Sequence, residues 1–179
     1  ARREAASGEA VKFLFGLADG HAVESVLMKY RYGNSVCVSS QVGCRMGCAF
    51  CASALGGLVR NLEPAEIADQ VLAIRRNALA ANEAVHSIVI MGTGEPLDNY
   101  ENVVKFMRLM NEPLGINISF RKITLSTSGL VPGILRLATE GLPITLSVSL
   151  HAPTDVLRDE LMPVNRRYPI GELLAACRR

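Results

Sequence analysis

Hydrophobic and polar residues alternate with a period of two along the first part of the chain. A polar turn at 18–21 separates two such stretches, the second of which covers residues 22–29. This pattern predicts a β-hairpin, and residues 35–39 predict a third strand. The alternating apolar residues of the first stretch are Val11, Phe13, Phe15 and Leu17.

From residue 64 onward, apolar residues recur at helical spacing, and short apolar runs separate these segments. Strands that alternate with helices in this way are typical of parallel βαβ units. The pattern predicts an α/β fold with at most four such units, preceded by a β-hairpin extension over residues 1–36. The predicted helices are 64–81, 99–111, 132–140, 155–161 and 170–179, and the predicted strands are 87–91, 122–126 and 144–150.

Polar residues follow each of the three predicted parallel strands, at 92–99, 126–129 and 149–151. Catalytic groups of parallel barrels cluster at the carboxyl ends of the strands. We therefore expect an active site at this edge of the sheet.

The chain of 179 residues is 49% hydrophobic and 20% charged, which favours a globular protein over a disordered one. No apolar run is long enough to span a bilayer, and the first residues lack the apolar segment of a signal peptide. We expect a cytoplasmic monomer that does not enter membranes. The net charge of +2 is too small to indicate a nucleic-acid partner by itself.

Three of the five cysteines, Cys44, Cys48 and Cys51, lie within eight residues. Three thiolates at this spacing can hold three irons of a [4Fe–4S] cluster, which leaves the fourth iron open to a small molecule. Phe50 is a candidate apolar shield for the cluster. A structural zinc site is the alternative, but zinc usually takes four ligands, and no nearby Cys or His completes the set.

Several polar residues have two interpretations on chemical grounds. Glu95 could pair with a ligand ammonium or lie in a solvated loop, and Ser126 could bind a ligand or cap a helix. His151 is more often structural at such a position, a lone Cys37 is more often a core residue, and an exposed strand Glu24 is usually solvated. Cys177 is predicted to pack against the apolar face of the last helix.

The cysteine loop and its flanking motifs resemble the RlmN family of radical S-adenosylmethionine (SAM) enzymes, dual-specificity methyltransferases of adenine C2 in 23S rRNA and tRNA. The motif order also matches that family. The matching segments are 37–44, 54–61, 91–97, 124–129, 149–153 and 163–165, together with Arg158.

The resemblance implies a partial (β/α)6 radical SAM barrel over 37–179. It implies that Cys44, Cys48 and Cys51 hold a [4Fe–4S] cluster, and that Cys37 and Glu24 are catalytic. It also implies a set of SAM contacts: Gly94, Glu95, Ser126, Ser149, Leu150 and His151.

The implied reaction passes a methyl group from SAM through a second cysteine and a 5′-deoxyadenosyl radical to adenine C2. In it, Cys37 helps to release the methylated base. The implied partners are 23S rRNA, tRNA and a reducing donor such as flavodoxin. We expect the parent protein to continue beyond both Ala1 and Arg179. This chain, lacking the methyl-carrying cysteine, is therefore not expected to complete the transfer.

Three rival functions remain open. The first is the related branch that methylates adenine C8 and confers antibiotic resistance, although residues 52–61 favour the C2 branch. The second is a non-catalytic RNA-binding module that holds zinc or an iron–sulfur cluster. The third is a degenerate radical SAM domain.

Overall fold

The computed structural model describes residues 1–5 and 8–179 and contains one seven-stranded sheet whose two halves differ in strand direction. Its strands are β1 Arg2–Glu4, β2 Ala10–Gly16, β3 Ala22–Met28, β4 Asn34–Val38, β7 Val85–Ile90, β8 Ile123–Thr127 and β9 Thr145–Val148. They lie side by side in this order, antiparallel from β1 to β4 and parallel from β4 to β9. A separate antiparallel pair comprises β5 Gln41–Gly43 and β6 Leu58–Asn61.

Five α-helices occur among the described residues: one follows β6, one follows β7, one follows β8, and two follow β9. Pro64 begins the first helix, and a reciprocal capping pair of Glu63 and Glu66 satisfies its first turn. The helices are α1 Pro64–Ala80, α2 Tyr100–Asn111, α3 Val131–Thr139, α4 Asp155–Leu161 and α5 Ile170–Cys177.

Alternation along the strands separates a packed face from an open face. Val36 and Val38 of β4 are fully buried and belong to the same core as Ile67, Val71 and Ile74 of α1. The residue between the two valines, on the opposite face of the sheet, is only partly buried. The helices therefore pack on one side of β4, and the opposite side, which carries Cys37, is more open.

The predicted α/β fold with a partial parallel barrel and an antiparallel extension is confirmed. The predicted hairpin, helices and parallel strands all form, most with ends shifted by one or two residues. The division at residue 36 stays a prediction, because the extension and the barrel strands share one sheet. No helix among the described residues is long and apolar enough to cross a bilayer.

Two sequence predictions need correction. The strand predicted at 144–150 covers only Thr145–Val148 and is not fully buried, because β9 lies at the edge of the sheet with one neighbouring strand. Cys177 is exposed and does not pack in the core, whereas Leu173 and Ala176 of the same helix are buried.

Candidate functional site

A cavity lies at the carboxyl ends of β7, β8 and β9, where the cysteine loop meets the three strand ends. It brings together the three predicted cluster cysteines and most of the predicted SAM contacts. Its lining residues are Cys44, Met46, Cys48, Phe50, Cys51, Met91, Gly92, Gly94, Glu95, Ser126, Thr127, Ser128, Ser149, His151 and Met162.

Backbone hydrogen bonds fix the cysteine loop at both ends. The Cys44 N–H donates to the Gly57 carbonyl at 2.9 Å, and the Ala49 N–H donates to the Leu161 carbonyl at the end of α4, also at 2.9 Å. Gly43 has a φ of 74°, and a Cβ there would lie 1.9 Å from the Gly57 oxygen. Only glycine fits this entry to the loop.

The three cysteines of the loop all line this cavity. All three are free thiols, and burial raises the pKa of Cys44 and of Cys48. Within residues 1–5 and 8–179, no three Cys, His, Asp or Glu side chains are grouped closely enough to bind one metal ion. Three thiols spread around one cavity match the donor set of an iron–sulfur cluster, and metal binding would deprotonate them.

Glu95 is only 3% exposed, and both of its carboxylate oxygens accept hydrogen bonds. Oε1 accepts from Thr127 Oγ1 at 2.7 Å and from the Leu97 N–H at 3.1 Å. Oε2 accepts from the Ser128 N–H at 2.7 Å and from Ser128 Oγ at 2.8 Å. Burial raises the pKa of Glu95, although these bonds oppose the shift. The carboxylate thus joins the loop after β7 to the end of β8.

The loop before Glu95 packs tightly against the segment that follows β4. Gly94 has a φ of 107°, and a Cβ there would lie 2.6 Å from Gln41 Cβ. The Gln41 side chain accepts the Glu95 N–H at 2.8 Å. Ser39 Oγ accepts the Thr93 N–H at 2.9 Å and donates to the Glu24 carbonyl at 2.6 Å. The buried side chains of Ser39 and Gln41 therefore fix the backbone of this loop through hydrogen bonds.

The predicted contacts beyond β8 and β9 fall on the cavity, with one exception. Ser126, Ser149 and His151 line it, whereas Leu150 does not and instead packs against the apolar core. His151 has a φ of 57°, which is uncommon for a residue with a side chain. Its ring lies 4.7 Å from that of Phe50, so Phe50 covers the cavity edge while staying half exposed.

Cys37 and Glu24 lie on the open face of the sheet, outside the lining of the cavity. Cys37 pairs with Val26 of β3 and Val89 of β7, and Glu24 lies two residues from Val26 on the same face. Cys37 hydrogen-bonds the backbone of Met91, and burial raises its pKa. Glu24 is half exposed and forms an ion pair with Lys12 at 3.0 Å. The structure therefore brings Cys37, but not Glu24, next to the cavity.

Sequence reasoning missed the residues that hold the site together. Thr127 and Ser128 bind Glu95, and Gln41 holds its backbone. Thr127 and Ser128 lie within the quoted 124–129 motif, so the motif was a usable signal for them. Gln41 likewise lies within the quoted 37–44 motif, but its contact with the Glu95 backbone is visible only in the structure.

Comparison with known proteins gives consistent results. A family model of the radical SAM superfamily matches residues 38–179. A protein named probable dual-specificity RNA methyltransferase RlmN, from Desulforamulus reducens, is 64% identical over 172 residues, which cover 96% of this chain and 48% of the relative. The protein of the same name from Pelotomaculum thermopropionicum is 62% identical over 178 residues, or 99% of this chain and 48% of the relative.

A solved structure shares the fold. The crystal structure of a radical SAM methyltransferase from Sphaerobacter thermophilus matches with a TM-score of 0.97 and 51% identity, over 100% of this chain and 52% of that one. The chain spans about half the length of the relatives it matches.

Proposed function

Because the chain belongs to the radical SAM superfamily, we propose that it carries the cluster- and SAM-binding part of an RNA methyltransferase acting on adenine C2. The observation that carries this proposal is the meeting of three cysteine thiols and one buried carboxylate in a single cavity. The relatives are named RNA methyltransferases, and the family resemblance of the motifs narrows the proposed substrates to 23S rRNA and tRNA.

Cys44, Cys48 and Cys51 hold the [4Fe–4S] cluster through their thiolates. When bound together, the cluster and SAM supply a one-electron reductive cleavage that starts radical chemistry, which a carbon as unreactive as adenine C2 requires. The glycines of the loop let its backbone wrap closely around the cluster. Phe50 and His151 contact each other at one edge of the cavity.

Glu95 supplies the negative charge for the methionine ammonium of SAM. Among the described residues no Lys or Arg forms an ion pair with Glu95. A buried carboxylate without a counter-charge is costly, and a ligand ammonium would offset that cost. Gly94, Ser126, Ser149, Leu150 and His151 provide the remaining contacts, although the Leu150 side chain lies outside the cavity lining.

Cys37 and Glu24 act on the RNA base. The raised pKa keeps a proton on Cys37 Sγ near neutral pH, so Cys37 must lose that proton before it can attack as a thiolate. Glu24 lies further along the same open face and serves as the acid or base that moves a proton at the adenine ring. Both act before the methylated base is released.

The remaining parts of the proposal concern the location, oligomeric state and electron donor of the enzyme and the route of the methyl group. The enzyme works in the cytoplasm as a monomer and receives electrons from a reducing protein such as flavodoxin. The methyl group reaches the base through a second cysteine, as the family resemblance implies.

Product analysis tests the proposed function. The complete protein is reconstituted anaerobically with iron and sulfide, incubated with dithionite, SAM and unmodified RNA, and the RNA nucleosides are separated by mass-coupled chromatography. We expect 2-methyladenosine and 5′-deoxyadenosine, both lost in Cys48→Ala. Formation of 8-methyladenosine would overturn the C2 assignment, and absence of both products would overturn the enzyme assignment.

A further inference from the structure

Arg158 of α4 is a fully buried arginine whose partners are mainly backbone carbonyls. Its Nη2 donates to the Ser128 carbonyl at 2.6 Å and to the Ser149 carbonyl at 3.2 Å, and its Nε donates to the Leu150 carbonyl at 3.1 Å. Its Nη1 donates to Asn165 Oδ1 at 2.9 Å. Buried arginines are rare, and this one links the segments that follow β8 and β9.

Asn165 orients the guanidinium and connects it to two carboxylates. The Asn165 amide donates to Asp159 Oδ1 at 2.7 Å and to Asp155 Oδ1 at 3.0 Å. The carboxylates of Asp155 and Asp159 thus balance the positive charge of Arg158 indirectly, because Asn165 hydrogen-bonds both of them and the guanidinium. Asn165 itself is only 1% exposed. These hydrogen bonds fix the plane of the Arg158 guanidinium. A fixed plane is needed because its N–H groups donate to several different carbonyls at once.

The same residues that Arg158 holds also form the cavity. The Ser128 carbonyl accepts a hydrogen bond from Arg158, and the Ser128 N–H and hydroxyl donate to Glu95. Ser128 is therefore bonded to both Arg158 and Glu95. Ser149 gives its carbonyl to Arg158 and lines the cavity. The helix that carries Arg158 also accepts the Ala49 N–H of the cysteine loop through Leu161. One short helix therefore contacts the cysteine loop and both strand ends.

We propose that Arg158 is a positioning residue for SAM, which sets the carboxyl ends of β8 and β9 relative to the cysteine loop, with Asn165 as its orienting partner. This inference rests on the proposed function of the cavity. Lysine cannot replace Arg158, because a single ammonium cannot reach the same set of carbonyls and the Asn165 oxygen. A merely structural arginine would affect folding but not the affinity for SAM in protein that is folded and loaded.

The test compares variants of the complete protein after anaerobic reconstitution to equal iron content. Electron paramagnetic resonance follows the reduced cluster during a SAM titration, and the SAM concentration at half-change is measured. We expect Arg158→Met and Arg158→Lys to raise it by roughly 10–100-fold, as loss of an orienting partner does at metal sites. Asn165→Ala should raise it less. The control Arg108→Met alters an exposed α2 arginine paired with Glu140 and should leave it unchanged.

Wild-type SAM response in Arg158→Lys and Asn165→Ala, with equal iron content, would overturn the inference. These two variants decide the matter if Arg158→Met fails to fold or to keep iron. If the wild-type cluster shows no response to SAM, the proposed function falls, and the inference falls with it. A wild-type response with unresponsive Arg158 variants supports both.

Discussion

At the scale of single residues, Glu95 is the buried carboxylate of the cavity. Its carboxylate is buried and accepts four hydrogen bonds from three residues. Each of these bonds favours the charged form, whereas burial, the larger influence, favours the neutral form. A bound ammonium would add the cation that the described surroundings of Glu95 lack.

Replacing Glu95 by glutamine keeps the shape and removes the charge. We expect the dissociation constant of SAM to rise by roughly 10–100-fold, since hydrogen bonds to charged groups contribute about 1.5–3 kcal/mol. Wild-type affinity should also fall as the pH is lowered, because protonated Glu95 cannot pair with an ammonium. Equilibrium dialysis against SAM measures both effects. Glu101→Gln, which alters an exposed glutamate of α2, is the matched control, and equal affinities for the two variants would contradict the role of Glu95.

Cys37 differs from an ordinary exposed cysteine in its acidity. Because burial raises its pKa, its thiolate fraction is small at neutral pH and increases as the pH rises. We expect alkylation by iodoacetamide to show a midpoint above about 8.5, the value of an unperturbed cysteine. Peptide mass spectrometry of samples quenched across a pH series measures the rate at Cys37 itself. A midpoint at or below that value would show that the thiol is not shielded as the structure indicates.

At the scale of elements, the loop between β7 and α2 depends on close backbone packing. Gly94→Ala should lower the stability of the apoprotein by at least about 2 kcal/mol, because a side chain there is strained at positive φ and meets Gln41. The urea midpoint of unfolding, followed by circular dichroism, measures the loss.

Gly171→Ala provides the matched control for this substitution. Gly171 lies in α5, and a Cβ there meets no atom within 4 Å. Alanine should leave stability unchanged or raise it by less than about 0.5 kcal/mol, because Gly171 is the second residue of α5 and the full cost of glycine applies to the middle of a helix. If Gly94→Ala unfolded at the same urea concentration as Gly171→Ala, the packing of the loop against Gln41 would be refuted.

Hydrophobic patterning predicted the main elements because each buries one face. The seven residues of β2 alternate between the core and solvent, and the apolar residues of α2 recur at helical spacing. The pair β5–β6 escaped prediction, because strands of three and four residues are too short to show a period. Cys177 is exposed, although Leu173 and Ala176 of the same helix are buried. The apolar residues around it occupy more than one face of the helix, so their spacing could not predict which of them are buried.

At the scale of the whole molecule, parallel strands explain why distant motifs converge. The segments after β7, β8 and β9 meet at one edge because the three strands run in the same direction, as the sequence predicted. The bonds that join them were not predictable, since Arg158 reaches Ser128 across 30 residues. The role of Glu24 stays a prediction: it shares the open face with Cys37 and forms an ion pair with Lys12 in the structure.

Anaerobic reconstitution tests most directly whether the three cysteines hold a cluster with an open iron. Iron and sulfide are quantified on the complete protein, and the dithionite-reduced sample is measured by electron paramagnetic resonance with and without SAM. We predict about four irons and four sulfides per chain, a reduced-cluster signal that changes when SAM is added, and loss of both in Cys44→Ala. Protein that binds zinc or no metal, with its three thiols still free to alkylate, would contradict the account.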